Sequence, residues 1–136
     1  QAVADLASAY DTTGQLEENL ETFRDFTPLD EGETALLARA AETLRGLVNN
    51  GCTGCGYCMP CPAGVDIPEN FSLWNRLARC RDASLLWRSW NEVLKDEAKG
   101  KHCVGCGRCE EACPQHLPIR ADLARAQAAL DAVPRP

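Results

Sequence analysis

The sequence predicts an all-α chain of 136 residues that carries two cysteine-rich binding loops. Three observations lead to this prediction. Apolar residues recur at helical spacing along most of the chain, no stretch alternates as a strand would, and cysteines crowd into two groups at 52–61 and 103–113. With 45% hydrophobic and 25% charged residues, the chain has the composition of a globular protein rather than a disordered one.

Two helices are predicted before the first cysteine group. Thr12 followed by Gln15 has the pattern of a capping box, and it precedes a helix with an apolar stripe. A second helix begins after Asp30 and ends at Gly46 and the "NNG" of 49–51. The first stripe consists of Leu16, Leu20 and Phe23, and the second of Leu36, Leu37, Ala40, Ala41, Leu44, Leu47 and Val48.

Three more helices are predicted around the cysteine groups. One starts near Pro68, another ends before Gly100, and the last follows the second group. Their stripes consist of Phe71, Trp74, Leu77 and Ala78; of Leu86, Trp87, Trp90, Val93 and Leu94; and of Ile119, Leu123, Ala126 and Leu130. Core packing explains the Trp and Leu stripes more simply than an aromatic electron relay does. The predicted domains are a helical segment at 1–48 and a cysteine-bearing domain at 49–136.

The two cysteine groups are copies of one another. "GCTGCGYCMPCP" at 51–62 and "HCVGCGRCEEACP" at 102–114 share three cysteines spaced by three, glycines between them and a final Cys-Pro. The second copy has one extra residue before its last cysteine. The likeness continues downstream, where Ile67 corresponds to Ile119. Two copies of a binding loop, each leading into a helix, imply two sites related by pseudo-symmetry.

The nine cysteines could form disulfides, bind zinc or ligate iron–sulfur clusters. Disulfide scaffolds are usually secreted and even-numbered, whereas this count is odd and no secretory segment follows Gln1. Structural zinc usually takes two pairs of ligands that lie a dozen or more residues apart. The iron–sulfur pattern C-x2-C-x2-C-x3-C-P fits residues 103–114 in full, and residues 52–62 with one residue fewer. The sequence therefore predicts two [4Fe-4S] clusters, with zinc as the alternative.

The ligand sets are predicted to be crossed, because the fourth cysteine of this pattern serves the other cluster. We call the two predicted positions the first and the second site. The ligands of the first site are Cys52, Cys55, Cys58 and Cys113. The ligands of the second site are Cys103, Cys106, Cys109 and Cys61. The glycines of each loop let the backbone take positive φ and bring N–H groups to the sulfurs, which stabilises an anionic cluster.

Several residues near the cysteine groups are given no ligand role. Cys80 is predicted to be a buried apolar side chain on a helix. His102 and His116 flank the second group, but eight cysteines already fill eight ligand positions. Glu110 and Glu111 are interpreted as a solvated face, with docking of a basic redox partner as the alternative.

The charge and hydropathy of the chain exclude some functions. The net charge of −6 argues against nucleic acid as a partner, and two clusters of about −2 each would bring it to about −10. That charge favours partners with a basic docking surface. No run of about 18 apolar residues predicts a membrane span. Without a secretory segment the expected location is the cytoplasm. The missing initiator Met at Gln1 indicates processing or a piece of a longer protein.

The motifs resemble those of a known family. "CTGCGYCMPCPAGVDIPENF" at 52–71 and "CVGCGRCEEACPQHLPIRADL" at 103–123 are similar to the C-terminal domain of iron–sulfur aldo/keto reductases, and the helical stretch between them resembles the α-helical ferredoxins. The resemblance covers roughly residues 50–128. Upstream, "YDTTGQLEENLETF" and "PLDEGE" are similar to the last helix of the aldo/keto reductase barrel and the segment that leads away from it.

The resemblance implies an electron-transfer domain attached to an upstream barrel that binds NAD(P). It implies that Gln15, Glu18 and Asn19 contact the adenine end of the nucleotide, although an exposed polar helix face explains these residues in this chain by itself. The family's catalytic Asp, Tyr, Lys and His have no counterparts here, so any enzymatic activity belongs to the parent oxidoreductase. The redox partner is that barrel or another protein. A rival interpretation is structural: the clusters only stabilise a helical domain that functions in assembly or partner binding.

Overall fold

The computed structural model describes residues 12–24, 26–79 and 82–136. These ranges contain helices, turns and loops, and no strand, as the sequence predicts. The chain divides into one unit that ends at Ala40 and another that runs from Ala41 to Pro136. The domain boundary predicted at 48/49 stays a prediction. Cys80 lies outside the described residues.

Helix α1 spans Thr13–Arg24, and its start confirms the predicted capping box. The Thr12 backbone N–H donates to Gln15 Oε1 at 3.2 Å, and the Gln15 backbone N–H donates to Thr12 Oγ1 at 3.3 Å. Each side chain thereby satisfies a backbone donor that the first helical turn leaves without a partner. Two of its three apolar side chains, Leu20 and Phe23, are exposed, and Leu16 is half-buried.

Helix α2 spans Glu31–Gly46 and ends at the predicted glycine. A second capping box begins it. The Glu33 backbone N–H donates to Asp30 Oδ1 at 2.8 Å, and the Asp30 backbone N–H donates to Glu33 Oε2 at 3.0 Å. The predicted apolar stripe is present, yet its leucines are exposed. Leu36, Leu37 and Leu44 keep 57%, 55% and 64% of their surface accessible.

The second unit contains four helices after its first loop. Helix α3 spans Ile67–Arg79, α4 spans Ala83–Arg88, α5 spans Arg108–Glu111 and α6 spans Ile119–Asp131. Three of them, α3, α4 and α6, contribute buried side chains to the core. A π-helical turn follows α4 at Ser89–Val93, and 3-10 turns occupy Asp96–Ala98 and Gly100–His102. The largest fully buried side chains are Trp90, Phe71, Ile67, Leu73, Leu86, Ile119, Leu123 and Leu130. No helix in the described ranges has the length and apolar character needed to cross a membrane.

The predicted internal repeat is visible in the helices. Both α3 and α6 have 13 residues, both begin at the corresponding isoleucines Ile67 and Ile119, and the two helices pack against each other. Each isoleucine is buried. The repeat therefore extends beyond the cysteine loops to include the helix that follows each loop.

Trp90 serves the core, as predicted for the Trp and Leu stripes. It is fully buried, its indole N–H donates to Asp131 Oδ1 at 2.8 Å, and the Lys99 ammonium lies 4.8 Å from the ring centroid. The same prediction is wrong at Val93, which is 75% exposed. The backbone N–H of Leu94 bonds to the carbonyl of Ser89, five residues back, at 2.9 Å. Such a π turn takes the residues after Trp90 out of α-helical register, so Val93 faces solvent.

Gly100 marks a close approach between the 3-10 turn and α6. A Cβ at this buried position would lie 3.0 Å from the carbonyl oxygen of Leu123. We expect Gly100→Ala to lower the free energy of unfolding by about 1–3 kcal/mol, measured by anaerobic urea denaturation, because the backbone must move to admit the methyl group. Gly46→Ala is the matched control, since an added Cβ there meets nothing within 4 Å. An equal midpoint for the two variants would contradict this prediction.

Candidate metal centres

The two cysteine loops follow the same backbone path. Gly54 and its counterpart Gly105 have φ of 72° and 71°, and Gly56 and Gly107 have φ of 77° and 82°. L-residues with a Cβ rarely adopt these left-handed angles. An added Cβ would meet nothing within 4 Å at any of the four positions, so the loops require glycine for its conformation and not for space. The backbone thereby curls around each row of sulfurs, and in the first loop the Gly54 N–H donates to Cys52 Sγ at 3.4 Å.

A first cavity lies between the first loop, the start of α3 and residues 113–119. It has about 350 Å³ of empty space including its open mouth. Its walls hold the four cysteines predicted for the first site, three from the first loop and one from the end of the second group. In the part of the chain that the structure describes, no Asp, Glu, Lys, Arg or His lines it, and apolar side chains form much of its wall. The cysteines are Cys52, Cys55, Cys58 and Cys113, and the apolar side chains include Ile67, Phe71, Leu117 and Ile119.

A second cavity of about 400 Å³, also counted with its mouth, lies beside the second loop. The four cysteines predicted for the second site line it: Cys61, Cys103, Cys106 and Cys109. Two arginines, Arg108 and Arg120, also line this cavity. Cys58 and Ile67 line both cavities, so the two cavities are neighbours with a common wall.

The thiols differ in exposure and influence one another electrostatically. The middle cysteine of each loop, Cys55 or Cys106, is exposed, whereas Cys113 is buried. Burial raises the pKa of the Cys58 thiol, and the negative charges of Cys52, Cys55 and Cys113 raise it further. Burial likewise raises the pKa of the Cys109 thiol, with Glu110 and Cys103 adding to it. Thiolates grouped in this way need a cation between them to offset their repulsion.

The arrangement fits a cluster better than a single ion. Zinc with Zn–S bonds of about 2.3 Å holds its tetrahedral sulfurs about 3.8 Å apart. Among residues 12–24, 26–79 and 82–136, no three Cys, His, Asp or Glu side chains meet closely enough to bind one metal ion. The thiols surround cavities instead, as a multi-atom core with a thiolate at each of four corners requires. The residues present therefore fit [4Fe-4S] clusters.

Each loop has one anchor in the helix that follows the other loop, in addition to hydrogen bonds with the helix that follows it directly. Asp122 of α6 accepts a hydrogen bond from Asn50 Nδ2 at 2.6 Å, and Asn50 Oδ1 accepts one from the Cys52 N–H at 2.8 Å. Asn70 of α3 accepts from the Gly100 N–H at 2.9 Å and donates to the Ala98 carbonyl at 2.9 Å.

These anchors were not among the features predicted from the sequence. Asn70 and Asp122 occupy equivalent positions, three residues after the corresponding isoleucines, and both are buried. A polar residue within each apolar stripe was the signal that could have found them, because buried polar side chains are normally hydrogen-bonded.

The histidines line neither cysteine cavity. His102 Nε2 lies 3.2 Å from Asp96 Oδ2 at the surface, and His116 is exposed with a φ of 51°. Glu110 and Glu111 both reach solvent, and Glu110 also forms an ion pair with Arg120. Arg120 donates to the Glu110 carboxylate from the backbone N–H and from Nε, both at 2.9 Å, and these bonds lower the pKa of Glu110. The short helix α5 places Glu110 beside the start of α6, whereas Glu111 is exposed.

The three residues assigned to nucleotide contacts lie on α1 of the first unit. Gln15 and Glu18 are exposed, and Asn19 is half-buried. Gln15 takes part in the capping box, and Asn19 Nδ2 donates to the Gln15 carbonyl at 2.7 Å. The nucleotide contacts stay a prediction.

Comparison with known proteins yields relatives that are much longer than this chain. Subunit alpha 1 of the acetyl-CoA decarbonylase/synthase complex matches in three archaea. The protein of Methanosarcina barkeri is 38% identical over 69 residues, and that of Methanosarcina acetivorans 39% over 69 residues, each match covering 50% of this chain and 7% of the relative. That of Methanosarcina mazei is 30% identical over 118 residues, 86% of this chain and 12% of the relative. No solved structure matches.

A protein-family comparison identifies the region that contains both cavities. The family described as "4Fe-4S dicluster domain" matches residues 51–118, which include both loops and the helices between them. The match covers half of the chain and all eight cysteines of the two cavities. The chain therefore belongs to the 4Fe-4S dicluster domain family of ferredoxin-like iron–sulfur domains.

Proposed function

We propose that this chain is an electron-transfer module with one [4Fe-4S] cluster in each cavity. The observation that carries the proposal is the wall of Cys58 and Ile67 that the two cysteine-lined cavities share. Bound clusters supply one-electron redox chemistry, and the protein supplies thiolates, N–H donors and exclusion of water. A common wall keeps the path for an electron between the sites short.

The proposed ligand sets are the crossed ones. Their support is the position of the last cysteine of each group: Cys113 lines the first cavity, and Cys61 lines the second. The remaining ligands are Cys52, Cys55 and Cys58 for the first site, and Cys103, Cys106 and Cys109 for the second. The exposed thiols Cys55 and Cys106 are the points at which electrons enter and leave, because they bring each site to the surface.

We further propose that the module works as the C-terminal part of a cytoplasmic oxidoreductase of the aldo/keto reductase family. The motif resemblance supports this parentage, and the exposed leucines of α2 suit a helix that more protein covers. In that protein the upstream barrel would bind NAD(P), with Gln15, Glu18 and Asn19 at the adenine end. A basic surface on the redox partner would complement the acidic module.

A second parentage has its own support. The relative from Methanosarcina mazei, subunit alpha 1 of the acetyl-CoA decarbonylase/synthase complex, is similar over 86% of this chain. Mass spectrometry of the native protein, with sequencing upstream of Gln1, separates the two parents. We expect a barrel with its own Asp, Tyr, Lys and His residues and NAD(P)H binding. An upstream region similar to the acetyl-CoA decarbonylase/synthase subunit would contradict the aldo/keto reductase parentage.

The structural alternative, in which the clusters only staple the helices, makes a different redox prediction. An electron-transfer module must take up and release electrons reversibly without loss of iron. We therefore propose cyclic anaerobic reduction with dithionite and reoxidation, followed by iron analysis. Clusters that break down on the first reduction would favour the purely structural role.

The metal content follows directly from the two cavities. We expect anaerobically prepared protein to hold about eight iron and eight acid-labile sulfide per chain. Elemental analysis and sulfide assay measure both, and Cys80→Ser is the control that should leave both counts unchanged. Stoichiometric zinc without sulfide would establish the zinc-binding module instead.

A further inference from the structure

The two cavities differ in the charges around their sulfurs. Among the described residues, the lining of the first contains no charged side chain apart from the cysteines, whereas Arg108 and Arg120 line the second. Arg76 and Arg79 lie near Cys52, in a neighbouring cleft outside the first cavity. Arg120 Nη1 reaches the carbonyl of Gly105, between two cysteines of the second loop, at 3.4 Å. Its carboxylate partner Glu110 does not line the second cavity, but Glu110 is adjacent to Cys109 and its negative charge offsets part of the positive charge of Arg120.

The residues that anchor the loops add to this difference. Behind the first loop lies the carboxylate of Asp122, joined through Asn50 to the backbone N–H of Cys52. The equivalent position behind the second loop is Asn70, a neutral amide. Asp122 is 5% exposed, and its ion-pair partner Arg125 has a side chain that is 63% exposed. Because water screens Arg125 more than the buried carboxylate, Asp122 contributes negative potential behind the first loop.

We propose that the two sites have unequal reduction potentials, and that the second site is the easier to reduce because Arg108 and Arg120 stand in its wall. The inference rests on the proposed electron-transfer function. Reduction adds one negative charge, which the nearby guanidiniums stabilise and which the carboxylate behind the first loop opposes. One electron therefore passes from the first site to the second. The first site is oxidised by one electron, the second is reduced by one, and no bond forms or breaks.

The test is an anaerobic redox titration of the full chain, followed by electron paramagnetic resonance. The wild type should show two potentials. In the Arg108→Gln/Arg120→Gln variant the higher potential should fall by about 59 mV, a tenfold change in the one-electron reduction equilibrium, while the lower one stays. Arg88→Gln is the matched control, since Arg88 forms an exposed pair with Glu92 and lines neither cavity. Asp122→Asn should raise the lower potential.

Charge can be separated from structure by a conservative variant. Arg120→Lys keeps the positive charge and should keep the higher potential within the error of the Arg88→Gln control, with iron content unchanged. A single potential in the wild type, a fall of the lower potential in the double variant, or an equal fall in Arg120→Lys and Arg120→Gln would each overturn the inference. Absence of iron or of any reversible reduction would instead overturn the proposed electron-transfer function.

Discussion

Replacing Cys61 with alanine is expected to damage the second site and spare the first, although Cys61 belongs to the first loop. The reason is its position in the wall of the second cavity, beside Cys103, Cys106 and Cys109. Iron should fall from about eight atoms per chain to between about four and seven, depending on whether a three-iron remnant persists. In the reduced protein, the two interacting paramagnets of the wild type should become one isolated signal.

Double variants decide between crossed and uncrossed ligation. Cys61→Ala combined with Cys109→Ala should retain the first site and about four iron atoms, because both changes fall on the second site. Cys61→Ala combined with Cys52→Ala should lose both sites. The opposite pair of results, with the first combination losing both sites and the second retaining one, would show that each loop binds its own cluster.

Asn70→Ala is expected to lower the free energy of unfolding by about 3 kcal/mol. The fully buried amide of Asn70 accepts from Gly100 and donates to the carbonyls of Ala98 and Asp66. Alanine offers neither a donor nor an acceptor, so the buried Gly100 N–H loses its partner and the turn before the second loop loses its anchor. Anaerobic urea denaturation of the loaded protein gives the midpoint and the slope.

A matched control for this variant is Asn91→Ala. Asn91 also donates to a carbonyl four residues back, that of Trp87, but it is exposed, and water replaces the lost bond. We expect a change of less than about 0.5 kcal/mol there. Equal losses for Asn70→Ala and Asn91→Ala would show that the contact between α3 and the 3-10 turn does not stabilise the fold.

The features that the sequence could predict depend on residues that lie close together in the chain. The capping box of Thr12 and Gln15 depends on residues three apart, and the helix ends at Gly46 as a local signal predicts. The spacing of the cysteines likewise predicts both loops. The stripes of α3 and α6 predict their mutual packing, because each stripe needs an apolar partner.

The features that the sequence could not predict depend on contacts between distant residues or on local geometry without a sequence signal. The leucines of α2 have the same spacing as a buried stripe, yet they are exposed. Val93 is exposed because Ser89–Val93 form a π turn, whereas the apolar spacing was interpreted with regular α-helical turns. Glu110 meets Arg120 only after α5 and α6 have folded together. Asn70 and Asp122 occupy positions at which helical spacing predicts apolar side chains. Their hydrogen-bond partners lie up to 72 residues away in the sequence.

The exchange of anchors between the loops also sets the order in which the sites can be completed on the ribosome. A chain is made from its N-terminus, and contacts distant in sequence form slowly. When the second loop emerges, Cys61 and Asn70 are already made. The first loop emerges earlier, but with the proposed crossed ligands its site needs Cys113, and its anchor Asp122 lies 72 residues beyond Asn50. All ligands of the second site are therefore synthesised before the last ligand of the first site, and a nascent chain can complete the second site earlier.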